Sequence, residues 1–227
     1  MKVIVGISGA SLTYLGVEMA NELFKANCDV CVIFSQNAKI SLACESLEMA
    51  KSLAFAGNSG RINSKIAEIF KSIEQLKSQL SLKTAKNSQL LSLGDELISK
   101  ILNPKISIQS QIYESSASGS SGYEAMIIAP CSINCLAKIY CGISDSLLTR
   151  AAAVMLKERR KLVLGVREMP LSPISLKQMS ALSKLGVIIA PPILASYGGL
   201  DEMQNFIIGK WLDILGVKND LYKRWQE

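Results

Sequence analysis

The chain has no histidine among its 227 residues. Histidine is the usual acid–base group near neutral pH and the commonest metal ligand, so either kind of chemistry must use other side chains here. The cysteine spacings fit no zinc or iron–sulfur pattern, and we predict no metal site. No apolar run reaches the roughly 20 residues that cross a bilayer. We therefore expect a cytoplasmic protein that does not enter a membrane.

The N-terminal segment 3–11, VIVGISGAS, lacks the glycine pattern of a dinucleotide-binding loop. The second apolar run ends in Ser35, where a dinucleotide site would place an acidic residue for the ribose. Both absences disfavour NAD as a cofactor. A mononucleotide or a lone phosphate fits the loop better, although a tight turn with a serine N-cap would also explain it.

Charge, cysteine content and length limit the possible partners, the state of the thiols and the number of domains. The net charge of +6 permits nucleic acid or phosphorylated ligands as partners. Mixed charges on the Lys-bearing segments indicate a solvated face, so we expect no nucleic-acid binding. The six cysteines lie mostly in apolar stretches, which favours reduced thiols, including Cys28 and Cys31 in a predicted strand. The length suits a single domain over residues 1–227.

Short apolar runs alternate with helical patterns along most of the chain. The predicted strands are Val3–Ile7, Val30–Phe34, Met126–Ala129, Leu162–Val166 and Val187–Ala190. The predicted helices are Leu12–Lys25, Ser132–Tyr140, Ser146–Arg159, Pro173–Lys184 and Leu200–Leu215. This alternation predicts an α/β fold, a three-layer, Rossmann-like or flavodoxin-like, doubly wound parallel sheet.

Residues 50–112 interrupt that rhythm and are predicted to form an extended, mostly helical insertion. An apolar stripe runs from Ile62 to Leu80 with heptad-like spacing, Gly94 suggests a break, and Leu97–Leu102 predicts a second helix. The stripe would pack on its own domain or contact another subunit. The small-residue segment Ser115–Gly122 is either a linker or a place where backbone approaches a ligand closely.

Two predicted strands are each followed by a short loop that leads directly into a helix. Ser11 closes the Gly-Ala-Ser turn after the first strand, and Ser132 follows Pro130 and Cys131 after the third. Ligands of α/β sheets bind beyond the carboxyl ends of the strands, and helix N-termini favour anions there. Both loops are therefore candidate phosphate-binding elements.

Charged residues cluster near the same predicted edge. Arg167 and Glu168 directly follow the fourth strand, and Arg150 and Lys157 lie seven residues apart on one helix face. Tyr197 adds a hydroxyl after the fifth strand. A surface ion pair and a solvated basic cluster would also explain the charged residues. Their positions favour a site for phosphate-bearing ligands with an ionising leaving group.

The chain also resembles the flavin prenyltransferase family of the ubiquinone pathway. The matching stretches cover most of the chain outside residues 50–112: GISGAS, the ACES around Glu45, ASGSS, APCS, LTRAA, LKERRKLVL, REMPLS and the terminal KRW. The resemblance implies a flavin-binding, Rossmann-like protein that assembles into a dodecamer. It implies that dimethylallyl monophosphate prenylates reduced FMN at N5 and then C6 and that phosphate leaves without a metal. Prenylated FMN would then serve a partner decarboxylase.

The resemblance also implies roles for individual residues. The FMN positions are Gly9, Ala10, Ser11, Ser35, Cys131, Ser132, Ile133, Asn134 and Arg150. The positions around dimethylallyl phosphate are Lys157, Arg167, Tyr197, Lys210 and Trp225. The catalytic positions are Ser11 and Glu168 for proton handling, Glu45 near the flavin, and Lys157 at the leaving phosphate.

Three features depart from the family's pattern. Lys210 stands where an arginine is common, Gly198 and Gly199 follow Tyr197 where a histidine is frequent, and residues 50–112 are longer than usual. Two other functions remain open on the same fold: a non-catalytic FMN carrier and a flavin-dependent decarboxylase. The absence of histidine argues against a cysteine decarboxylase, which uses one in catalysis.

Overall fold

The computed structural model describes residues 1–56, 86–193 and 199–224. Within them, six parallel strands form one sheet in the order β3-β2-β1-β4-β5-β6. The strands are β1 (Lys2–Ile7), β2 (Asp29–Phe34), β3 (Ser107–Gln109), β4 (Ala125–Cys131), β5 (Lys161–Val166) and β6 (Ile188–Ile189). The described helices are α1 (Thr13–Lys25), α2 (Gln36–Ala56), α3 (Asn87–Ile101), α4 (Ile133–Tyr140), α5 (Leu147–Lys157), α6 (Pro173–Lys184) and α7 (Leu200–Leu215). This architecture confirms the predicted α/β fold.

Helices cover both faces of the sheet, which explains why β1, β2, β4 and β5 have continuous apolar runs rather than alternating apolar and polar residues. Val3, Val5 and Ile7 of β1 are fully buried in a core shared with α1, α2, α3 and α7. Ile4 points to the other face, into a core shared with α4, α5 and α6. Because successive strand residues face opposite sides, one short strand contributes to both cores. The result is three layers with the sheet in the middle.

The third predicted strand, Met126–Ala129, is longer in the structure than its sequence indicates. The prediction that Pro130 ends it is wrong, because β4 runs through Pro130 to Cys131. The pairing of β4 with β5 shifts register between Ile128 and Cys131. Proline has no N–H to donate to a neighbouring strand, and the register shift lies where that donor is missing.

The segment 50–112 contributes to the main fold as well as interrupting it. It contains the end of α2, all of α3 and the edge strand β3, which pairs with β2 in parallel. The predicted break at Gly94 is wrong, since α3 passes through it without interruption. A Cβ at Gly94 would lie 2.4 Å from the carbonyl oxygen of Lys39 in α2. Glycine therefore permits a close helix contact here. The apolar stripe Ile62–Leu80 lies outside the described residues.

The segment Ser115–Gly122 packs on the domain as two short 3-10 turns, Ser115–Ala117 and Gly119–Ser121. Ser116 is fully buried, and the Arg160 guanidinium donates a hydrogen bond to the carbonyl of Gly119 at 2.7 Å. The Lys2 ammonium donates to the carbonyl of Ser121 at 3.1 Å. The end of the segment therefore lies beside the first residues of β1, just before β4 begins. These contacts exclude a flexible linker.

The remaining sequence predictions concern thiols and membranes. All six cysteines are unpaired, as predicted, and Cys28 and Cys31 are buried. In the part of the chain that the structure describes, no helix combines the length and apolarity that a membrane span requires.

Candidate functional site

A cavity of about 610 Å³ opens at the carboxyl ends of the central strands. Its wall includes the ends of β1 and β2 and the first turns of α2, α4 and α5. The described residues that line it are Ser8, Gly9, Ile33, Phe34, Ser35, Gln36, Asn37, Ser110, Gln111, Ile112, Ser132, Asn134, Cys135, Lys138, Asp145, Ser146, Leu147, Leu148 and Thr149. This is the edge where α/β sheets bind ligands, and the volume suits a small-molecule cofactor.

Three serines begin the helices that face this cavity. The Ser35 hydroxyl accepts a hydrogen bond from the Ala38 amide at 3.1 Å. Ser132 and Ser146 cap α4 and α5 in the same way, accepting from amides three residues later at 3.3 Å. Each helix N-terminus has a partial positive charge from its aligned peptide dipoles. Three such ends around one cavity favour an anionic ligand.

The turn after β1 is fixed to the turn after β4 by Ser8. Its hydroxyl donates to the carbonyl of Pro130 at 3.0 Å and accepts from the Ser132 amide at 2.7 Å. Beside it, a Cβ at Gly9 would lie 2.4 Å from the Cβ of Asn37. Glycine therefore lets the first turn approach α2 closely, and both predicted phosphate loops become parts of one wall.

A carboxylate from α2 binds the N-terminal end of α1 just after this turn. Glu45 accepts a hydrogen bond from the Thr13 amide at 3.1 Å. Leu12, the N-cap, has a left-handed backbone with φ of 71° and provides no side-chain cap, so Glu45 supplies the acceptor from another helix. Ser11, one residue earlier, is exposed. Ser11 and Glu45 thus share one corner of the sheet edge.

Glu45 has an unusual electrostatic environment. Burial raises its pKa from 4.5 to about 7, although the hydrogen bond from Thr13 and the nearby charge of Arg167 lower the pKa. Its Oε1 atom is buried and accepts no hydrogen bond. Near neutral pH the carboxyl is therefore present in both protonation states, as a proton donor or acceptor should be.

Arg167 and Glu168 complete the corner from the neighbouring strand. The Arg167 amide donates to the carbonyl of Cys131 at 3.0 Å, which fixes the end of β5 against β4. Both side chains are exposed. Because β5 ends at Val166, both residues lie at the same edge as Ser11 and Glu45.

Comparisons with known proteins agree with a flavin site. A family model described as Flavoprotein matches residues 1–212. The flavin prenyltransferase UbiX of Campylobacter jejuni is 42% identical over 229 residues, covering 100% of this chain and 99% of the relative. The chain belongs to the flavin prenyltransferase family. It is an enzyme, a prenyltransferase.

Two solved structures share the fold over the whole chain. One is described as a dodecameric FMN-dependent UbiX-like decarboxylase from Escherichia coli O157:H7. It is 31% identical with a TM-score of 0.70, and the match covers 100% of both chains. The other is AnUbiX (PadA1) in complex with FMN and dimethylallyl pyrophosphate, which is 25% identical with a TM-score of 0.70, covering 100% of this chain and 97% of that one.

The FMN positions that the family resemblance implies divide into two groups. Gly9, Ser35, Ser132 and Asn134 line the cavity. The others do not contribute to its wall: Ala10, Ser11, Cys131, Ile133 and Arg150. The Cys131 side chain is fully buried, and its pKa is raised by a hydrogen bond with Cys135 and by burial. Arg150 is exposed on α5, next to the cavity residue Thr149.

Two predicted phosphate residues lie far from this edge within one subunit. The first turn of α5 lines the cavity. Lys157 is the last residue of α5 and lies about 15 Å further along the helix axis. Lys210 lies toward the C-terminal end of α7, where the carbonyl of Ile214 accepts a hydrogen bond from Lys161, the first residue of β5. Both lysines are exposed, and the Lys210 ammonium lies over the Tyr222 ring at 5.9 Å from its centroid. Tyr197 and Trp225 lie outside the described residues.

Several cavity residues are absent from the site that the sequence predicts. They include Asn37, Cys135, Lys138, Asp145, Ser146 and Thr149. Ser146 is predicted as a helix start, and in the structure it caps α5, where Thr149 at the third helical position completes a capping box. No sequence signal shows that Lys138 and Asp145 face the same cavity, since that depends on how α4 and α5 pack.

Proposed function

We propose that the protein joins a dimethylallyl group from dimethylallyl monophosphate to N5 and C6 of reduced FMN. Prenylated FMN and inorganic phosphate would be the products. FMN is thus bound as a cofactor and used as a substrate. The product would pass to a partner decarboxylase, in the ubiquinone pathway or a related one, and the reaction would take place in the cytoplasm.

The observation that carries this proposal is the meeting of two features at one sheet edge. One is the cavity with three serine-capped helix N-termini. The other is the corner of Ser11, Glu45 and Arg167, where a half-buried carboxyl with a raised pKa lies near a guanidinium. A flavin phosphate fits the first feature and a leaving phosphate fits the second.

The residues present fit FMN. The cavity lies within the usual range for small-molecule sites, and its wall combines apolar Ile33 and Phe34 with hydroxyl and amide groups that suit a ribityl chain. The absence of a side chain at Gly9 lets the turn after β1 lie directly against Asn37, so that both residues line the cavity. Reduced FMN would supply the nucleophilic nitrogen.

The corner residues would handle the leaving group. Arg167 would bind the phosphate of the allyl donor and stabilise the charge that develops when the C–O bond breaks. Glu168 and Ser11 would deliver a proton to the departing phosphate. Glu45 would hold or accept a proton beside the flavin, as its pKa of about 7 permits.

Lys157 and Lys210 would act on the site of a neighbouring subunit. Within one chain, Lys157 lies about 15 Å along α5 from the cavity edge, too far for a direct contact there. Lys210 lies toward the C-terminal end of α7, a helix from which no described residue lines the cavity. Lys157 lines a second, mostly apolar groove of about 340 Å³ together with Ile143, which is 47% exposed. If a second copy packed on this groove, Lys157 of the first copy would lie at the carboxyl edge of the second copy's sheet. We propose a homododecamer in which Tyr197 and Trp225 join these lysines around the allyl phosphate.

Anaerobic turnover tests the proposed reaction. Protein, FMN, dithionite and dimethylallyl monophosphate are mixed under argon, and released phosphate and the flavin spectrum are followed. We expect the wild-type protein to release phosphate and to change the flavin spectrum. We expect Lys157→Ala to do neither. Lys184→Ala serves as the control, because Lys184 is also an exposed lysine at a helix C-terminus and no role is proposed for it.

A non-catalytic FMN carrier gives a different result. Such a protein would bind FMN and change its spectrum, but it would release no phosphate from the allyl donor. That outcome would contradict the proposed transferase reaction. Turnover with the pyrophosphate in place of the monophosphate would correct only the identity of the donor.

A further inference from the structure

An ion pair that no predicted role covers lies on the wall of the large cavity. The Lys138 ammonium of α4 and the Asp145 carboxylate, just before α5, are 2.6 Å apart. Both residues line the cavity. Among the described residues of that wall, Lys138 is the one with a positively charged side chain and Asp145 the one with a carboxylate.

The pair is held in place from the α5 side. The Thr149 hydroxyl, itself bonded to the Ser146 cap, lies 3.4 Å from the second carboxylate oxygen of Asp145. The hydrogen bond from Lys138 lowers the pKa of Asp145, so the carboxylate stays charged near neutral pH. Asp145 is thus anchored to two helices, and Lys138 is positioned through it.

The pair matters because a phosphate monoester brings a charge of about −1.5 to −2 into the cavity. Helix N-termini offer only about half a positive charge each. Asp145 places a negative charge beside the N-terminus of α5, which disfavours a second anion there. The favourable position is therefore on the α4 side, within reach of Lys138.

We propose that Lys138 binds the phosphate of FMN and that Asp145 positions it. This inference rests on the proposed function, since it requires the flavin to occupy the large cavity. An ammonium group has three N–H donors, of which Asp145 takes one. Lys138 can therefore keep its aspartate partner and donate to a phosphate oxygen. The pair would select FMN over riboflavin, which has the same ring and ribityl chain but no phosphate.

Flavin affinities test the assignment without any turnover. Dissociation constants for FMN and riboflavin are measured by quenching of flavin fluorescence, with riboflavin also measured in competition with FMN. We expect Lys138→Met to weaken FMN binding roughly tenfold, the effect of losing a hydrogen bond to a charged group, and to leave riboflavin binding within about twofold. Lys184→Met is the matched control and should change neither.

Substitution of Asp145 should change the affinity for FMN in the opposite direction. Asp145→Asn removes a negative charge close to the phosphate but keeps a side-chain oxygen that accepts the hydrogen bond from Lys138, so FMN should bind a few-fold more tightly while riboflavin is unaffected. Equal weakening of both flavins by Lys138→Met, or no weakening, overturns the phosphate assignment. Weaker binding of both by Asp145→Asn overturns the positioning role. Wild-type protein that binds neither flavin refutes the proposed function instead.

Discussion

At the residue scale, Glu45 has a structural role in addition to the chemical role that we propose for it. Its carboxylate accepts the Thr13 amide at the start of α1, where the N-cap Leu12 supplies no side-chain acceptor. The same carboxyl is mostly buried, and burial raises its pKa to about 7. A group used only for capping would be better fully ionised, because a charged acceptor bonds more strongly. The raised pKa therefore favours a role in proton transfer.

The pKa of Glu45 predicts how stability changes with pH. The folded state binds a proton more tightly than the unfolded chain, whose pKa is near 4.5. This carboxyl therefore contributes its full stabilisation below about pH 4.5, and the contribution is lost as pH rises through about 7. Relative to wild type, Glu45→Gln should lose this decline, which is at most about 3 kcal/mol.

Urea unfolding of both proteins between pH 4 and pH 8 measures the difference. The two stability curves should diverge across that window, with the wild type falling more steeply toward pH 8. Curves that stay parallel would show that Glu45 has an ordinary pKa in the folded protein. Glu124→Gln provides a control, because Glu124 is an exposed glutamate at the other edge of the sheet.

At the element scale, α2 and α3 form a closely packed pair that places Glu45 over the first turn. Lys39 of α2 forms an ion pair with Asp95 of α3 at 2.7 Å, next to the contact at Gly94. Ion pairs at partly exposed positions contribute little stability, so backbone approach at Gly94 should matter more. The position of α2, and with it Glu45, depends on that approach.

Gly94→Ala tests this close contact. Alanine favours helix over glycine by about 1 kcal/mol, so an isolated helix would gain stability. Here the new methyl group would meet the Lys39 carbonyl at 2.4 Å, and we expect a net loss of about 1–3 kcal/mol. The change is read from the urea midpoint, with Ser92→Ala on the exposed face of α3 as control. A stabilised Gly94→Ala variant would contradict the packing.

Sequence pattern predicted the strands that are buried on both faces and the helices α1, α4, α5, α6 and α7, but it missed β3 and α2. The runs at β1, β2, β4 and β5 are apolar enough to be found without a structure. Strand β3 is three residues long and partly exposed, so it has neither the length nor the apolar run of a strand. Helix α2 extends from Gln36 to Ala56 and mixes apolar and polar residues without a clear stripe.

The site was predictable only where it follows directly from a strand end. Gly9, Ser35 and Ser132 could be placed because the carboxyl ends of parallel strands meet at one edge. Lys138 and Asp145 belong to a helix interior and a later loop, and their meeting depends on the packing of α4 against α5. Arg150 and Lys157 are predicted to lie on one face of a helix. That prediction does not bring them together, because about 10 Å of helix separates them along the axis.

At the scale of the whole molecule, one chain does not bring together all the residues that we propose for phosphate binding. Ser11, Glu45, Arg167 and Glu168 lie at the carboxyl edge, whereas Lys157 and Lys210 lie toward the other end of their helices. The E. coli relative is described as dodecameric. In a symmetric assembly, each subunit can complete the site of another.

Mixed assemblies test whether sites are shared. Lys157→Ala and Glu168→Gln should each be inactive alone. Coexpressed at equal levels, they should regain about a quarter of wild-type phosphate release, because one site in four would combine an intact Glu168 with a neighbour's intact Lys157. A mixture as inactive as its parents would show that both residues act within one chain.

The most direct test of the central claim is the mass of the flavin recovered after one anaerobic turnover. Protein, reduced FMN and dimethylallyl monophosphate are incubated under argon, the protein is denatured, and the released flavin is weighed by mass spectrometry. We predict FMN carrying one additional five-carbon unit, in amounts equal to the phosphate released. Unmodified FMN recovered alongside released phosphate would contradict the account.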